Sequence, residues 1–377
     1  MTAISERVSE PTEQQAVKRV SQSVFDGSRL RVVLLVDVYD GAQQQFLEAY
    51  EEMYKQVASV PGHVSDQLCQ SIENPSQWLI TSEWESAPPF LAWVNSEEHV
   101  RMVQPMHSCI RDTRSLRFHI VRETGGQKAS GERRLQTSPR IGDGVIRHAL
   151  TFTVKPGSEA KVAELLANYE PPEPQVDGTT RLLRTSLFMH GNRVVRAIEV
   201  RGDLLAALRH VARQPQIRAV EEAINPYLEQ DRDLNDQESA RVFFTRAALP
   251  AVHHVTAGRE GGQTERHALY YPARPGMGMK LAELLARQDE RAADDPRGPV
   301  VRSTVFERDD VVVRLIDIRG ALDADPVAAL GLADAAQAAE LTTLLGEGAA
   351  KKDGDLVRLL TLARMDSVTD RRSAPDA

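Results

Sequence analysis

RHALTFTVKPGSEAKVAELLA at residues 147–167 and RHALYYPARPGMGMKLAELLA at residues 266–286 are identical at twelve of 21 positions. Downstream of each lies a second matching stretch. LLRTSLFMHGNRVVRAIEVRG (182–202) aligns without a gap on VVRSTVFERDDVVVRLIDIRG (300–320), sharing Arg184/Arg302, Phe188/Phe306, Arg196/Arg314 and the closing Arg-Gly. Self-similarity at a fixed spacing marks a duplicated structural unit. Residues 144–250 and 264–365 are therefore read as two copies of one module.

Each copy spells out its own elements. A β-rich run ends at Pro-Gly (Pro156-Gly157, Pro275-Gly276), after which Val162, Leu165 and Leu166, or Leu281, Leu284 and Leu285, recur at helical spacing. Two β-branched runs follow, separated by Gly191-Asn192 or Asp309-Asp310, the signature of a hairpin. Leu204, Leu205, Leu208 and Val211 mark a second helix, and a last strand is expected over 239–248 or 355–364. The order is β-α-β-β-α-β, the ferredoxin-like split βαβ unit.

Residues 29–122 follow the same plan with little residue identity: a strand from Arg31, an amphipathic helix from Gln43, strands after Pro61-Gly62 and from Gln77, and a last strand near Arg114. The fold class is thus α+β, with three ferredoxin-like modules of the dimeric α+β barrel type. Residues 1–28 read as a disordered segment, 123–143 and 251–263 as polar linkers, and 366–377 as a tail. An open sheet with helices on one face needs its other face covered. The second and third modules are expected to pair within the chain around a cavity, and the first with another copy, making a homodimer.

Composition narrows the function. Among 377 residues, 46 Lys and Arg face 54 Asp and Glu, a formal charge of −8, the wrong sign for a nucleic-acid surface. No apolar run approaches the roughly 18–20 residues of a membrane span, and MTAISERVSEPTEQQ lacks a signal-peptide layout. A cytoplasmic location follows, with no membrane and no nucleic-acid partner. Cys69 and Cys109 match no disulfide or metal-ligand pattern and read as reduced core residues. Walker A, GxGxxG, HExxH and GxSxG motifs are absent. His253-His254 falls in a linker, where a metal would lack a rigid surrounding shell.

All three tryptophans, Trp78, Trp84 and Trp93, lie in the first module. By strand alternation Trp78, Ile80, Ser82 and Trp84 share one face, which is expected to line a barrel interior as a flat wall for a planar ligand. The stretch NPSQWLITSEW (74–84), followed by Phe90, Trp93 and His99, resembles the antibiotic biosynthesis monooxygenase family and its anthrone oxygenases, although Trp84 stands where those enzymes commonly carry Tyr. Residues 144–365 resemble the SchA/CurD-like domain of polyketide and spore-pigment clusters.

The resemblance implies a cofactor-independent oxygenase of aromatic polyketide biosynthesis, with O₂ as co-substrate and a polycyclic phenol or anthrone as substrate. Such a substrate reacts with O₂ once deprotonated, so the protein need only orient the rings, stabilise the anion and exclude water. On this reading Asn74, Trp78 and Trp84 line the site with His99 or His107 as base, and Trp93, Phe90, Ile80, Ser82 and His63 complete the pocket. For Asn74 the competing reading is turn chemistry. The alternative to an enzyme is a non-catalytic protein that binds the polyketide or organises synthase or cyclase subunits. Arg196 and Arg314, like Glu199 and Asp317, occupy equivalent positions in the two copies and read as architectural, with arginine and carboxylate on opposite strand faces.

Overall fold

The computed structural model describes residues 19–122, 142–257, 263–295, 297–332, 337–346 and 356–373. After β1 (Val20–Ser23), the chain builds a four-stranded antiparallel sheet from β2 (Leu30–Val38), β3 (His63–Gln70), β4 (Gln77–Trp84) and β5 (Ile110–His119) in the order β3-β4-β2-β5. Helix α1 (Gln43–Val57) connects β2 to β3, and α2 (Ala87–Val94) and α3 (Glu97–His107) connect β4 to β5. Ser96 caps α3 by accepting from the His99 N–H at 3.1 Å. Pro105 falls in the last turn of α3, and the helix runs through it to His107.

Both halves of the repeat enter one nine-stranded sheet. The first half supplies β6 (Val145–Thr153), α4 (Glu159–Ala167), β7 (Arg181–His190), β8 (Arg193–Arg201), α5 (Leu204–Arg213), α6 (Pro215–Ile224), α7 (Gln237–Ala247) and β9 (Ala248–Thr256). The second supplies β10 (Glu265–Pro272), α8 (Gly278–Asp294), β11 (Val300–Arg308), β12 (Val311–Ile318), α9 (Pro326–Leu330), α10 (Gln337–Leu344), α11 (Leu356–Ala363) and β13 (Asp366–Arg372). Strand order is β10-β12-β11-β9-β6-β8-β7-β13, and β1 pairs with β9 off this path. Each half's last strand crosses to the other half: β9 leaves β6 at Ala149↔Leu249 and continues along β11 at Thr304↔His254, while β13 pairs with β7. A bridge at Leu269↔Arg364 brings β10 to the start of β13, so the sheet is nearly closed into a barrel.

Several expectations are corrected. The stretches 239–248 and 355–364 are mostly helical, as α7 and α11, because their apolar residues recur at helical spacing: Leu356, Leu359, Leu360 and Ala363 take one face. The strands lie just beyond, in the supposed linker 251–263 and tail 366–377. Residues 20–23, expected to be disordered, form a strand, whereas 1–18 and 123–141 fall outside the described residues. His253 and His254 are 1% and 2% exposed on β9, and His254 Nδ1 lies 2.8 Å from Thr304 Oγ1. Cys69 is exposed; Cys109 is buried.

The expected hairpin at Asp309-Asp310 has a physical basis. Both residues adopt positive φ, 49° and 65°, as a tight primed turn requires and as aspartate tolerates. The Asp310 carboxylate then accepts from the Gly276 and Gly278 N–H groups at 2.8 Å each, fastening the hairpin tip to the start of α8.

Apolar and charged side chains of both halves meet inside the barrel. Phe188, Val195, Phe306, Val313 and Leu315 from both halves pack together. Beside them Arg266 donates to Asp317 and Glu199, each at 2.7 Å, and Arg184 donates to Asp317 at 3.1 Å and to Asp370. Burial alone would raise the Asp317 pKa, but hydrogen bonds and charge from Arg266, with Arg184 and Arg302, hold it near 2. No described helix is long and apolar enough to cross a membrane.

Candidate functional site

Strand register decides what meets what in the four-stranded sheet. Leu30, Val32 and Val36 on β2 stand opposite Trp84, Ser82 and Trp78 on β4, and Val32 stands opposite Arg117 on β5. On β3, His63 and Asp66 stand opposite Trp84 and Ser82. All of these share the face covered by α1 and α2, as the ring contacts from Trp78 to Phe46 of α1 and from Trp84 to Phe90 of α2 establish, both at 5.4 Å. The tryptophan face is thus the sheet–helix interlayer and not an open barrel wall, because the helices claim the most apolar face of the sheet. The other face carries Leu35 and Phe118, about half exposed.

Within the interlayer the expected site residues separate into two groups. Trp78 and Trp84 are six residues apart on one strand, so their positions differ by roughly 20 Å. At the Trp78 end, Trp78 and Ile80 pack with Phe46, Val36 and Met106 as core. Asn74 is exposed in the β3–β4 turn, where its Oδ1 accepts from the Ser76 N–H at 3.0 Å. This geometry is turn chemistry. Asn74→Ala is therefore expected to lower stability by about 1 kcal/mol, the usual worth of one such bond, measured by urea unfolding. An unchanged midpoint would discard that role.

At the other end a denser group forms. Trp84 is fully buried and donates its indole N–H to Ser82 Oγ at 3.0 Å. Its ring stacks on Trp93 at 5.4 Å, and His63 meets it edge-on at 5.2 Å. His63 Nε2 lies 2.7 Å from Asp66 Oδ2, and both side chains are buried. His99 sits edge-on to Trp93 at 4.3 Å. Its Nδ1 and the Trp93 Nε1 are buried with no hydrogen-bond partner among the described residues. Burial first, and then the positive charges of Arg117 and Arg308 with a contribution from His107, pull the His99 pKa down to about 4, so the ring is neutral at pH 7. His107 lies at the far end of α3, with Nδ1 2.8 Å from Arg241 on α7.

Two of these residues are new to the site. Asp66 is placed by its pairing register with Ser82. Arg117 lies over the Phe90 ring at 5.4 Å and has no carboxylate partner among the described residues. The residue is exposed, and crowding around its guanidinium lowers its pKa from the ordinary arginine value. Alternation along β5 is the signal that would have placed Arg117 on this face. Next to the group opens a cleft of about 640 Å³ whose lining combines Val60, Pro89, Trp93 and Met102 with the charged Lys55 and Glu98; His99 and Arg117 lie behind it and not in its lining. Taken singly, an aromatic face stacks on planar rings, a neutral imidazole takes up protons and a guanidinium neutralises an oxyanion.

Comparison with known proteins agrees with both parts of the chain. Residues 29–105 match the family described as antibiotic biosynthesis monooxygenase, and residues 145–257 the SchA/CurD-like domain. Among solved structures, SnoaB from Streptomyces nogalater, titled a cofactor-independent oxygenase, aligns with 26% of this chain and 96% of its own at 15% identity and a TM-score of 0.24. A protein of Streptomyces cyaneus named polyketide synthase CurD is 64% identical over 94% of this chain and 98% of its own length. A 42.8 kDa protein of the whiE locus of Streptomyces coelicolor is 62% identical over 94% of this chain and 91% of its own. With that identity over nearly full length, the chain belongs to the SchA/CurD-like family and carries an antibiotic biosynthesis monooxygenase domain ahead of its repeat.

Proposed function

We propose that the four-stranded unit is an oxygenase acting on a polycyclic phenol or anthrone of an aromatic polyketide pathway. The observation that carries the reading is the juxtaposition of His99 and Arg117 around the Trp84–Phe90–Trp93 cluster, with a cleft at Trp93. The family match over residues 29–105 and the polyketide names of the relatives support it.

The chemistry follows from the groups present. A ring system stacks against Trp93, and neutral His99 takes a proton from the phenol or from the anthrone methylene. Arg117 neutralises the resulting oxyanion, which lowers the cost of making it in an enclosed site. The electron-rich anion reduces O₂. For an anthrone the balance is CH₂ plus O₂ giving C=O plus water, so one oxygen atom enters the product and the substrate supplies all four electrons. No metal or flavin is needed for that balance.

Oxygen uptake by the chelator-treated, flavin-free protein with a model anthrone tests the reading. Uptake is expected in the parent protein, and Arg117→Met is expected to reduce it by roughly 10²-fold, the scale for losing one oxyanion partner. Binding of the anthrone, read by tryptophan fluorescence quenching, with no uptake would replace the oxygenase reading by that of a polyketide-binding or synthase-assembly protein.

A further inference from the structure

Arg308 belongs to the barrel, at the end of β11, yet one of its nitrogens reaches the four-stranded unit. The residue is 6% exposed. Nη1 donates to the Thr245 carbonyl and, at 3.2 Å, to that of Ala248, where α7 passes into β9. Nε donates to Asp309 Oδ2 at 3.2 Å. Nη2 donates to the Asn95 carbonyl at 3.4 Å. Asn95 ends α2 two residues after Trp93 and precedes Ser96, the cap of the helix that carries His99. One buried guanidinium thus joins the barrel seam to the short turn between Trp93 and His99.

Two further contacts cross the same boundary, Arg246 to Glu97 at 3.2 Å and Arg241 to His107 at 2.8 Å. Both are exposed, where such contacts contribute little. Arg308 is different because its fork is buried and reaches carbonyls of both parts of the chain, Thr245 and Ala248 at the end of α7 and Asn95 at the end of α2. We propose that Arg308 is a positioning residue for the site in the four-stranded unit, holding the Trp93–His99 turn in place and setting a fixed positive charge beside the imidazole. The site is then complete only when the barrel is docked, which gives a physical reason for the fusion of the two parts in one chain.

The surroundings of His99 are consistent with this. Arg117 faces it from β5, Arg308 from β11 and His107 from its own helix, all acting to keep it neutral. Of the nearby carboxylates, Glu97 pairs with Arg246 and Asp309 with Arg308; Glu98, on the first turn of α3, is exposed. Arg308 acts in the same direction on His148 of β6, which burial first holds near 4.

The proposal rests on the reading of His99 as base, and two variants of the full chain separate the questions. His99 is titrated by NMR in histidine-labelled protein, assigned through His99→Gln, alongside oxygen uptake with a model anthrone. Arg308→Gln removes the charge and is expected to raise the His99 midpoint by roughly half a unit to one unit and to lower kcat about tenfold with KM little changed. Arg308→Lys keeps the charge but cannot span both carbonyls, so the midpoint stays low while kcat still falls. Parental midpoints and kcat in both variants, with or without a lower Tm, would overturn the proposal. If Arg308→Gln does not fold, Arg308→Lys decides by its kcat. If the parent consumes no oxygen, the oxygenase reading fails, and the NMR shift alone decides the clamp.

Discussion

Asp289→Ala is expected to destabilise the protein by about 3–5 kcal/mol, the range for leaving one member of a buried ion pair without its partner. Asp289 on α8 and Arg314 on β12 are both 0% exposed at the side chain, with Arg314 Nη2 2.6 Å and Nε 3.0 Å from Asp289 Oδ1. Ser303 donates to the other carboxylate oxygen at 2.6 Å, and Arg314 Nη1 donates to the Ala329 carbonyl at 2.6 Å. Truncation would leave the guanidinium, packed against Leu285 and Gly331, buried without its charged partner and two charge-assisted bonds short. Urea unfolding followed by circular dichroism measures the loss, and a midpoint equal to the parent's would refute it. Joint replacement by Asp289→Leu and Arg314→Met should recover most of the stability, because an apolar pair of similar volume carries no desolvation cost.

That pair also shows what the repeat could and could not reveal. The alignment of Arg196 with Arg314 is plain in the sequence, and both arginines turn to the helix side, away from Glu199 and Asp317 in the barrel interior. Their counter-charges, however, come from different elements: Glu221 on α6 faces Arg196 at 2.7 Å, whereas Asp289 on α8 faces Arg314. A partner supplied by a non-equivalent helix leaves no trace in a repeat alignment. The same limit applies to the strand crossing. The stretches read as last strands became α7 and α11, and the pairing of β9 with β11 and of β13 with β7 is made by contacts between the halves that neither half's own pattern displays.

For the candidate site, the clustering of Trp84, Phe90, Trp93, His99 and His63 was legible from proximity in sequence and from alternation. Asn74 and Trp78 carry the family-like spacing, yet six strand residues separate Trp78 from Trp84, and extended chain cannot bring them together. Arg117 and Asp66 were invisible as site residues because each comes from a strand whose pairing had to be known first. Arg308 comes from the other sheet altogether.

His99→Gln is expected to lower kcat for a model anthrone by 10²–10⁴-fold, the usual contribution of a positioned general base. Glutamine fills similar volume and can still contact Trp93, so binding should persist with KM changed little, but an amide cannot take up the proton. The pH profile carries an independent check. A base works when unprotonated, and His99 is unprotonated above its pKa of about 4, depressed by burial and by Arg117 and Arg308. The acid limb of kcat/KM should therefore fall only below about pH 4–5, well under the ordinary histidine value near 6.5. In Arg308→Gln the limb should move upward with the NMR midpoint. A substrate phenol acidic enough to be ionised at the assay pH needs no base, so it should restore most of the lost rate in His99→Gln while remaining sensitive to Arg117→Met, which acts on the anion itself. Retention of the parental rate by His99→Gln with the un-ionised substrate would transfer the role of base to His63, which Asp66 holds at 2.7 Å on the same face of the sheet.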